Sequence, residues 1–446
     1  MAFSLAGVER SCGRDRCAAV SKEQMVELVV YYRRIARHAL NVLVGAVEVS
    51  EDSSALPCTL AEGPSALARA LAAAVAAGRL PVVAWSFYSA GFAEAREELR
   101  SARERSFPGA VHVAGGPHAS AAPEETLRAG FDLVVVGEGE ETFPALLARL
   151  DGGRAISDLP GLAWLEGGRL RRTVRARPVE LDAFPPCAPR ARRIGPIEIT
   201  RGCPFACRFC QTPFLFRARF RHRSLPEVRR WVRYHREIAT RDLRFLSPSA
   251  LSFGSSGEGC ELDSVEELLA GAREEAGPDR RLFFGSFPSE LRPEHVSARA
   301  LLLIRRYCDN RTVILGAQSG SERMLSQMGR GHGVEEILRA LALCRELGLK
   351  ASVDIILGLP GEEEEDRAAT RALMERIFAL GGRVHVHAFM PLPGTPWAGE
   401  APGSVDPRTR ALLARLEAAG AAHGQWRAQT RLGEAALARA SATAKP

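Results

Sequence analysis

Three cysteines stand on one short run, Cys203-Pro-Phe-Ala-Cys207-Arg-Phe-Cys210, just behind an apolar segment, Ile197 to Thr200, and a glycine, Gly202. Thiolates gathered this tightly are ligands for zinc or for an iron–sulfur cluster. A closed zinc site needs a fourth ligand, and no Cys or His follows at finger or ribbon spacing; His222 is twelve residues on. Three thiolates on one loop suit a cluster with one iron left open, where a ligand can be bound and activated. The remaining cysteines, Cys12, Cys17, Cys58, Cys187, Cys260, Cys308 and Cys344, form no second tight set. An auxiliary cluster is therefore not expected.

The elements around the cysteines read as a series of strands and helices. Short β-type runs occur at Ile197–Thr200, Leu243–Leu246, Leu282–Gly285, Thr312–Leu315, Ser352–Leu357 and Val384–Phe389. Helical patterns lie between them, around Leu225–Ala239, Ser264–Glu275, Pro293–Arg305, Val334–Leu347 and Glu364–Leu380. Six strands and five helices in alternation predict a partial (β/α)6 barrel with its site at the carboxyl ends of the strands. The loops at those ends are small and polar: Ser247-Pro248-Ser249, then the loop with Glu290 and Arg292, then Gln318 and Ser319 with Arg330 shortly after, then Leu357-Gly358. His385 and His387 alternate along the last strand and share one face. They are read either as a proton relay on the substrate side or as structural histidines.

The first part of the chain repeats the alternation. Strands are expected at Asn41–Val49, Pro81–Trp85, Ala110–Ala114 and Leu133–Val136, with helices at Pro64–Ala77, Phe92–Arg103, Pro123–Ala129 and Glu141–Leu150. This predicts a parallel, doubly wound, Rossmann-like α/β domain whose strands end in Ser86–Ser89, a loop at Gly115–Ser120 and Gly137–Glu140. The expected boundaries are an extension over 1–40 with a helix from about Lys22 to Ala39, the Rossmann-like domain at 41–150 and a linker at 151–195. The barrel follows at 196–400 and a helical tail at 401–446. A small hairpin could pair Leu162–Trp164 with Leu170–Val174 inside the linker.

Composition narrows the function classes. The chain has 446 residues, 46% hydrophobic and 25% charged, as in ordinary globular proteins. Its net charge is +7, yet all basic residues but Lys22, Lys350 and Lys445 are Arg. That skew reads as compositional bias, so a nucleic-acid partner is not expected. No apolar run reaches the roughly 20 residues that cross a bilayer, and charged residues crowd the start of the chain. A cytoplasmic protein without a membrane partner is expected.

The cysteine run, placed after the first barrel strand, resembles the radical S-adenosylmethionine (SAM) superfamily, whose signature is CxxxCxxC at that place. The resemblance implies that Cys203, Cys207 and Cys210 hold a 4Fe–4S cluster and that SAM chelates its open iron. One electron then cleaves SAM to methionine and a 5′-deoxyadenosyl radical. It also implies SAM contacts from Phe209, Gln318, Ser319, Arg330, Leu357 and Gly358. Gln318 stands where relatives have Glu, and Ser247 to Ser249 replace their Gly-Gly-Glu run. The first half, with its βαβ order, Gly115-Gly116-Pro-His-Ala-Ser and the run around Gly137 to Leu147, resembles the cobalamin-binding (B12) domain fused ahead of many radical SAM domains. That implies a cobalamin crevice lined by Ser86, Ser89, Gly115, Gly116, Gly137 and Gly139. The Asp-x-His-x-x-Gly run that supplies an axial His is missing, and His38, His112 and His118 have other surroundings.

The function implied is a cobalamin-dependent radical SAM methyltransferase, with cobalamin-assisted rearrangement as a variant. A cobalamin-free enzyme resembling methylthiotransferases is the alternative, although that group carries three further cluster cysteines in its first domain and an RNA-binding β-domain at the end. A non-catalytic cobalamin-binding protein is the third reading. The implied partners are a small-molecule or peptide substrate and an electron donor such as flavodoxin or ferredoxin. No catalytic residue is assigned.

Overall fold

Every residue of Val26–Tyr31 is buried, as in a strand covered on both faces of a parallel sheet. In the computed structural model, which describes residues 25–104 and 109–443, this strand, β1, lies within the first of two units. One unit ends at Val179 and the other begins at Glu180.

The first unit continues with α1 (Arg37–Val49), β2 (Cys58–Ala61), α2 (Pro64–Ala76), β3 (Leu80–Ser86), α3 (Phe92–Glu104) and β4 (Val111–Gly115). Then come α4 (Gly116–Ala121), α5 (Pro123–Arg128), β5 (Leu133–Val135), α6 (Thr142–Asp151), β6 (Leu162–Glu166) and β7 (Arg169–Arg172). The sheet order is β2-β1-β3-β4-β5-β6-β7. It is parallel through β5, and β6 and β7 pair antiparallel. Its first five strands follow a doubly wound order in which sheet growth reverses between β1 and β3, the place where such sheets open a ligand crevice.

Two expectations are overturned here. Of the helix expected from about Lys22 to Ala39, Val26–Tyr31 is instead the strand β1 and only Arg37–Ala39 is α-helical, as the start of α1, and the strand expected at Asn41–Val49 is helix α1. Residues 1–24 of the expected extension lie outside the described residues. The β-branched content of Asn41–Val49 suggested a strand, but Leu40, Val44 and Val47 recur at helical spacing and bury one face. In β1 a charge disguised the pattern. Glu27 is buried because Thr59 Oγ1 at 2.9 Å and Arg79 Nη1 at 3.0 Å donate to its carboxylate. Two smaller corrections follow. Part of the expected linker at 151–195 is sheet, since the hairpin forms and β6 pairs with β5. The expected loop at Gly115–Ser120 is largely α4, which carries Pro in its first turn.

The second unit runs β8 (Ile197–Glu198), β9 (Thr200–Arg201), α7 (Thr212–Leu215), β10 (Arg221–His222), α8 (Leu225–Glu237), β11 (Asp242–Leu246), α9 (Leu262–Ala276), β12 (Arg281–Phe283) and α10 (Ala298–Tyr307). It continues with β13 (Thr312–Gln318), α11 (Glu322–Met328), α12 (Val334–Glu346), β14 (Lys350–Leu357), α13 (Glu364–Ala379), β15 (Arg383–Ala388), α14 (Pro407–Ala418), β16 (Ala422–His423) and α15 (Trp426–Thr443). The ladders β12-β11-β8 and β13-β14-β15-β16 are parallel throughout. The segment that follows β12 lies against β13, through the Leu291 to Leu315 bridge and the Ile314 amide, which donates to the Gly285 carbonyl at 2.9 Å. Among the described residues no pairing links β8 to β16, so the sheet stays open as a partial barrel. All six expected strands are present, and the tail, expected to be helical, adds a seventh parallel strand in β16.

Candidate functional site

The cysteine loop leaves the sheet at Gly202 and returns at β10, which pairs antiparallel with β9. Gly202 has φ +82°, and a Cβ there would collide with the carbonyl of Arg219. Only glycine lets the loop close at its base. Above the base the loop is tied down by backbone bonds. The Cys210 amide donates to the Cys207 carbonyl at 3.0 Å, the Arg208 amide to the Met328 carbonyl at 3.0 Å, and the Trp397 amide to the Arg208 carbonyl at 3.3 Å. Gln211 Nε2 donates to the Pro393 carbonyl at 2.8 Å. Segments following β13 and β15 therefore grip the three thiols.

Helix α11 brings the charge. Ser321 caps its start, and it stops at Gly329 in the left-handed region, φ +71°. The chain then turns Arg330 inward, 3% exposed. Its Nη1 lies 3.5 Å from Cys207 Sγ and its Nη2 donates to the Gly316 carbonyl. Its Nε is buried without a partner among the described residues. Glu290 stands beside it, since a side chain on Gly316 would meet the Glu290 carboxylate at 2.9 Å and Arg330 Nη2 at 3.0 Å. Burial pushes Glu290 up to about 7, against the pull of Arg330 and with a further push from Asp354.

Burial also pushes Cys203 up to about 12, with Cys210 and Cys207 adding to the effect, and raises Cys210. Thiols pressed together in this way favour ionisation only around a cation. A supporting layer holds the arginines. Arg292 lies 3.5 Å over the Phe205 ring, donates to the Arg330 carbonyl, and bonds Glu294 Oε1 at 2.5 Å. His332 Nδ1 is 2.8 Å from the other Glu294 oxygen. Although burial opposes it, His332 and Arg292 hold Glu294 down to about 2.

The other expected SAM contacts fare differently. Gln318 ends β13 buried, at φ +77°, a strained setting for a non-glycine residue. The Ser319 hydroxyl meets Thr370 Oγ1 at 3.2 Å and accepts from the Ser321 amide at 3.2 Å, so it is engaged with α13 and its own loop. Phe209 packs against the core and Leu357 lies within it. Gly358, φ +65°, abuts Gly403, which leaves no room for a side chain. Glu294, His332 and Asp354 went unassigned in the sequence because their spacing follows no helix or strand face.

On the first unit, Ser86, Gly115 and Gly116 meet at the ends of β3 and β4. Gly116, φ +88°, places a would-be Cβ 2.8 Å from Ser86 Oγ and 3.1 Å from the Phe87 carbonyl. Gly137, φ +90°, opens onto space clear to 4 Å, and its amide donates to Ser120 Oγ at 2.9 Å. At Gly139 a side chain would meet Leu43 at 3.1 Å. Ser89 Oγ meets His118 Nδ1 at 3.1 Å, and His118 stacks on Phe92 with centroids 4.1 Å apart. His112 accepts from Trp85 Nε1 at 3.1 Å, and burial pushes it down to about 3.

Comparison with known proteins accounts for both strand-end rims. A radical SAM superfamily model matches residues 197–374, and a B12 binding domain model matches residues 60–147. The chain carries a B12-binding domain followed by a radical SAM domain. These domains give it a 4Fe–4S cluster, SAM and cobalamin as cofactors. Among solved structures, the fold is similar to the radical SAM methyltransferase TsrM from Kitasatospora setae with cobalamin and a 4Fe–4S cluster bound. That match has a TM-score of 0.66 and 20% identity and covers 85% of this chain and 74% of the other. The cobalamin-dependent radical SAM enzyme OxsB with aqua-cobalamin bound matches at TM-score 0.62 and 17% identity, covering 79% and 52%.

A tRNA-2-methylthio-N(6)-dimethylallyladenosine synthase of Chlorobium phaeovibrioides is 37% identical over 189 residues, 41% of this chain and 39% of its own. An uncharacterised methyltransferase of Pyrococcus horikoshii is 27% identical over 289 residues, 58% and 56%. The chain spans less than two thirds of the length of these curated relatives. Among the described residues no helix is long and apolar enough to cross a membrane.

The residues present fit the cofactors. The radical SAM unit has three thiols on one tethered loop and a buried guanidinium with a spare Nε. The B12-binding unit has an open glycine at a strand end, and its two buried histidines are held by Trp85 and Ser89.

Proposed function

We propose that this radical SAM enzyme is cobalamin-dependent and methylates, or rearranges, a carbon centre of a small-molecule or peptide substrate. The observation that carries the reading is the joining of the Cys203–Cys210 loop to Arg330 in a chain that also carries a B12-binding unit. When bound, the cluster and SAM supply a 5′-deoxyadenosyl radical and cobalamin supplies a methyl carrier.

Cys203, Cys207 and Cys210 would hold the cluster through their thiolates. Arg330 would offer its spare Nε to the SAM carboxylate, a charge-assisted bond from a buried guanidinium, and Gln318 would border the same ligand. Phe209, Leu357 and Gly358 form the apolar wall beside the cysteine loop. On the first unit, Ser86, Gly115, Gly116 and Gly137 would hold cobalamin through backbone and hydroxyl contacts. Flavodoxin or ferredoxin supplies the electron.

The similarity to a tRNA methylthiotransferase over 189 residues favours a second, cobalamin-free reading. Against it, a B12 binding domain model matches residues 60–147, and the cysteines of the first unit, Cys12, Cys17 and Cys58, form no tight set. Anaerobic reconstitution of the full chain with iron, sulfide and hydroxocobalamin, followed by reduction with SAM, decides between them. The expected result is 5′-deoxyadenosine together with cobalamin retained through gel filtration. Absence of 5′-deoxyadenosine under every condition would sink the radical reading, and SAM cleavage without retained cobalamin would establish the second.

A further inference from the structure

Across β14, β15 and β16 a row of polar side chains stands on one face of the sheet. Asp354 is in register with His385, and His385 with His423; His387, two residues on, shares that face. The alternate residues Val353, Ile355, Val384 and Val386 are fully buried on the other face. His385 Nδ1 is 2.9 Å from Asp354 Oδ1. The rings of His385 and His387 lie 4.2 Å apart, and His423 stacks on His385 at 4.7 Å. One donor atom each from Asp354, His385 and His387 falls within 4.8 Å of the others.

A hydrogen-bonded Asp–His pair alone orients one imidazole. It does not account for a second imidazole converging on the same carboxylate. Nitrogen and oxygen donors around a tetrahedral zinc ion lie about 3.4 Å apart, so small side-chain rotations close this group onto one ion. His387 Nδ1 meets Gln429 Nε2 at a long 3.4 Å, a contact that an ion displaces at little cost.

We infer that Asp354, His385 and His387 form a mononuclear site for a divalent first-row transition ion of the zinc type, separate from the cysteine loop. Two imidazoles and one carboxylate make an open donor set that leaves a coordination position for water or for an oxygen-bearing group of a substrate. The ion polarises that group as a Lewis acid. The site does not depend on the radical reading, because iron and zinc are measured separately.

The test uses the full chain with its cluster loaded, incubated with Zn2+ and desalted. The expected result is one zinc per chain at unchanged iron content, with zinc-edge absorption showing nitrogen and oxygen scatterers at about 2.0–2.1 Å and no sulfur. The double variant His385→Ala/His387→Ala should lose this zinc by at least about tenfold in affinity while keeping its iron. Asp354→Asn and His387→Gln, close in size to the native residues, give the same readout should the double variant fold poorly. Zinc retained equally by the variants, sulfur scatterers in the native spectrum, or no stoichiometric zinc in the native chain would each overturn the site.

Discussion

The two strand-end rims are built from opposite materials. The rim of the first unit is glycine, hydroxyl and ring-stacked histidine. The rim of the second buries Arg330, Arg292 and His332, with the half-buried Glu294 between the last two, around three thiols. Removing such charges from water is expensive, and they persist only because each meets a partner. A rim that must hold a charged cluster and a zwitterionic ligand needs fixed charges, whereas one that receives a large ligand edge-on needs room for backbone approach. The same strand-end logic thus produces an electrostatic socket in one unit and a steric slot in the other.

That contrast can be broken, beginning with its largest effect. The triple variant Cys203→Ala/Cys207→Ala/Cys210→Ala should lose all cluster iron and all 5′-deoxyadenosine while retaining cobalamin; iron retained near the native level would refute the ligand assignment. Next, Arg330→Gln should destabilise the second unit by about 3 kcal/mol, since it strands Glu290 and the Gly316 carbonyl. Ser89→Ala on the first unit should cost only about 1 kcal/mol. Urea unfolding measures both, and equal losses would remove the electrostatic distinction.

The glycines give a third, smaller contrast. Gly202→Ala meets backbone and should cost well over about 2 kcal/mol, together with cluster occupancy, whereas Gly137→Ala meets open space and should cost about 1 kcal/mol through its positive φ alone. Cobalamin affinity and iron content read the two effects separately, and similar losses at both positions would contradict the steric account.

The smallest effect is a pH dependence in the first unit. His112 is buried and its folded-state pKa, about 3, lies below the ordinary histidine value. Its contribution is complete above the unfolded pKa and declines as the pH falls below it, so going from about pH 7 to pH 5.5 should cost about 1 kcal/mol. His112→Gln, which keeps an acceptor for Trp85, should flatten that slope in urea unfolding; an unchanged slope would remove His112 as its source.

Much of the second unit was legible in the chain because its strands are short apolar runs that end in polar loops, and the cysteine spacing is local. Reading failed where tertiary context overrode local pattern. Val26–Tyr31 hides a buried Glu27 that only Thr59 and Arg79 make tolerable, and Asn41–Val49 carries strand-type residues on a helix whose buried face is set by its neighbours. Ser319 suits a ligand contact by its type and place; that its hydroxyl also meets Thr370, fifty-one residues on, is a fact of the fold.

Sequence alone determined what depends on neighbours in the chain: three thiols on one loop, a glycine before them, the alternation of strand and helix, and histidines alternating on one strand face. Tertiary structure decided what depends on distance in the chain. Arg330 reaches Cys207 because α11 ends in a left-handed glycine, Glu290 fits beside it because Gly316 lacks a side chain, and Asp354 meets His385 because two parallel strands share a register. Those are contacts between groups whose separation along the chain carries no periodic signal, so burial and charge pairing could be seen only once the chain had folded.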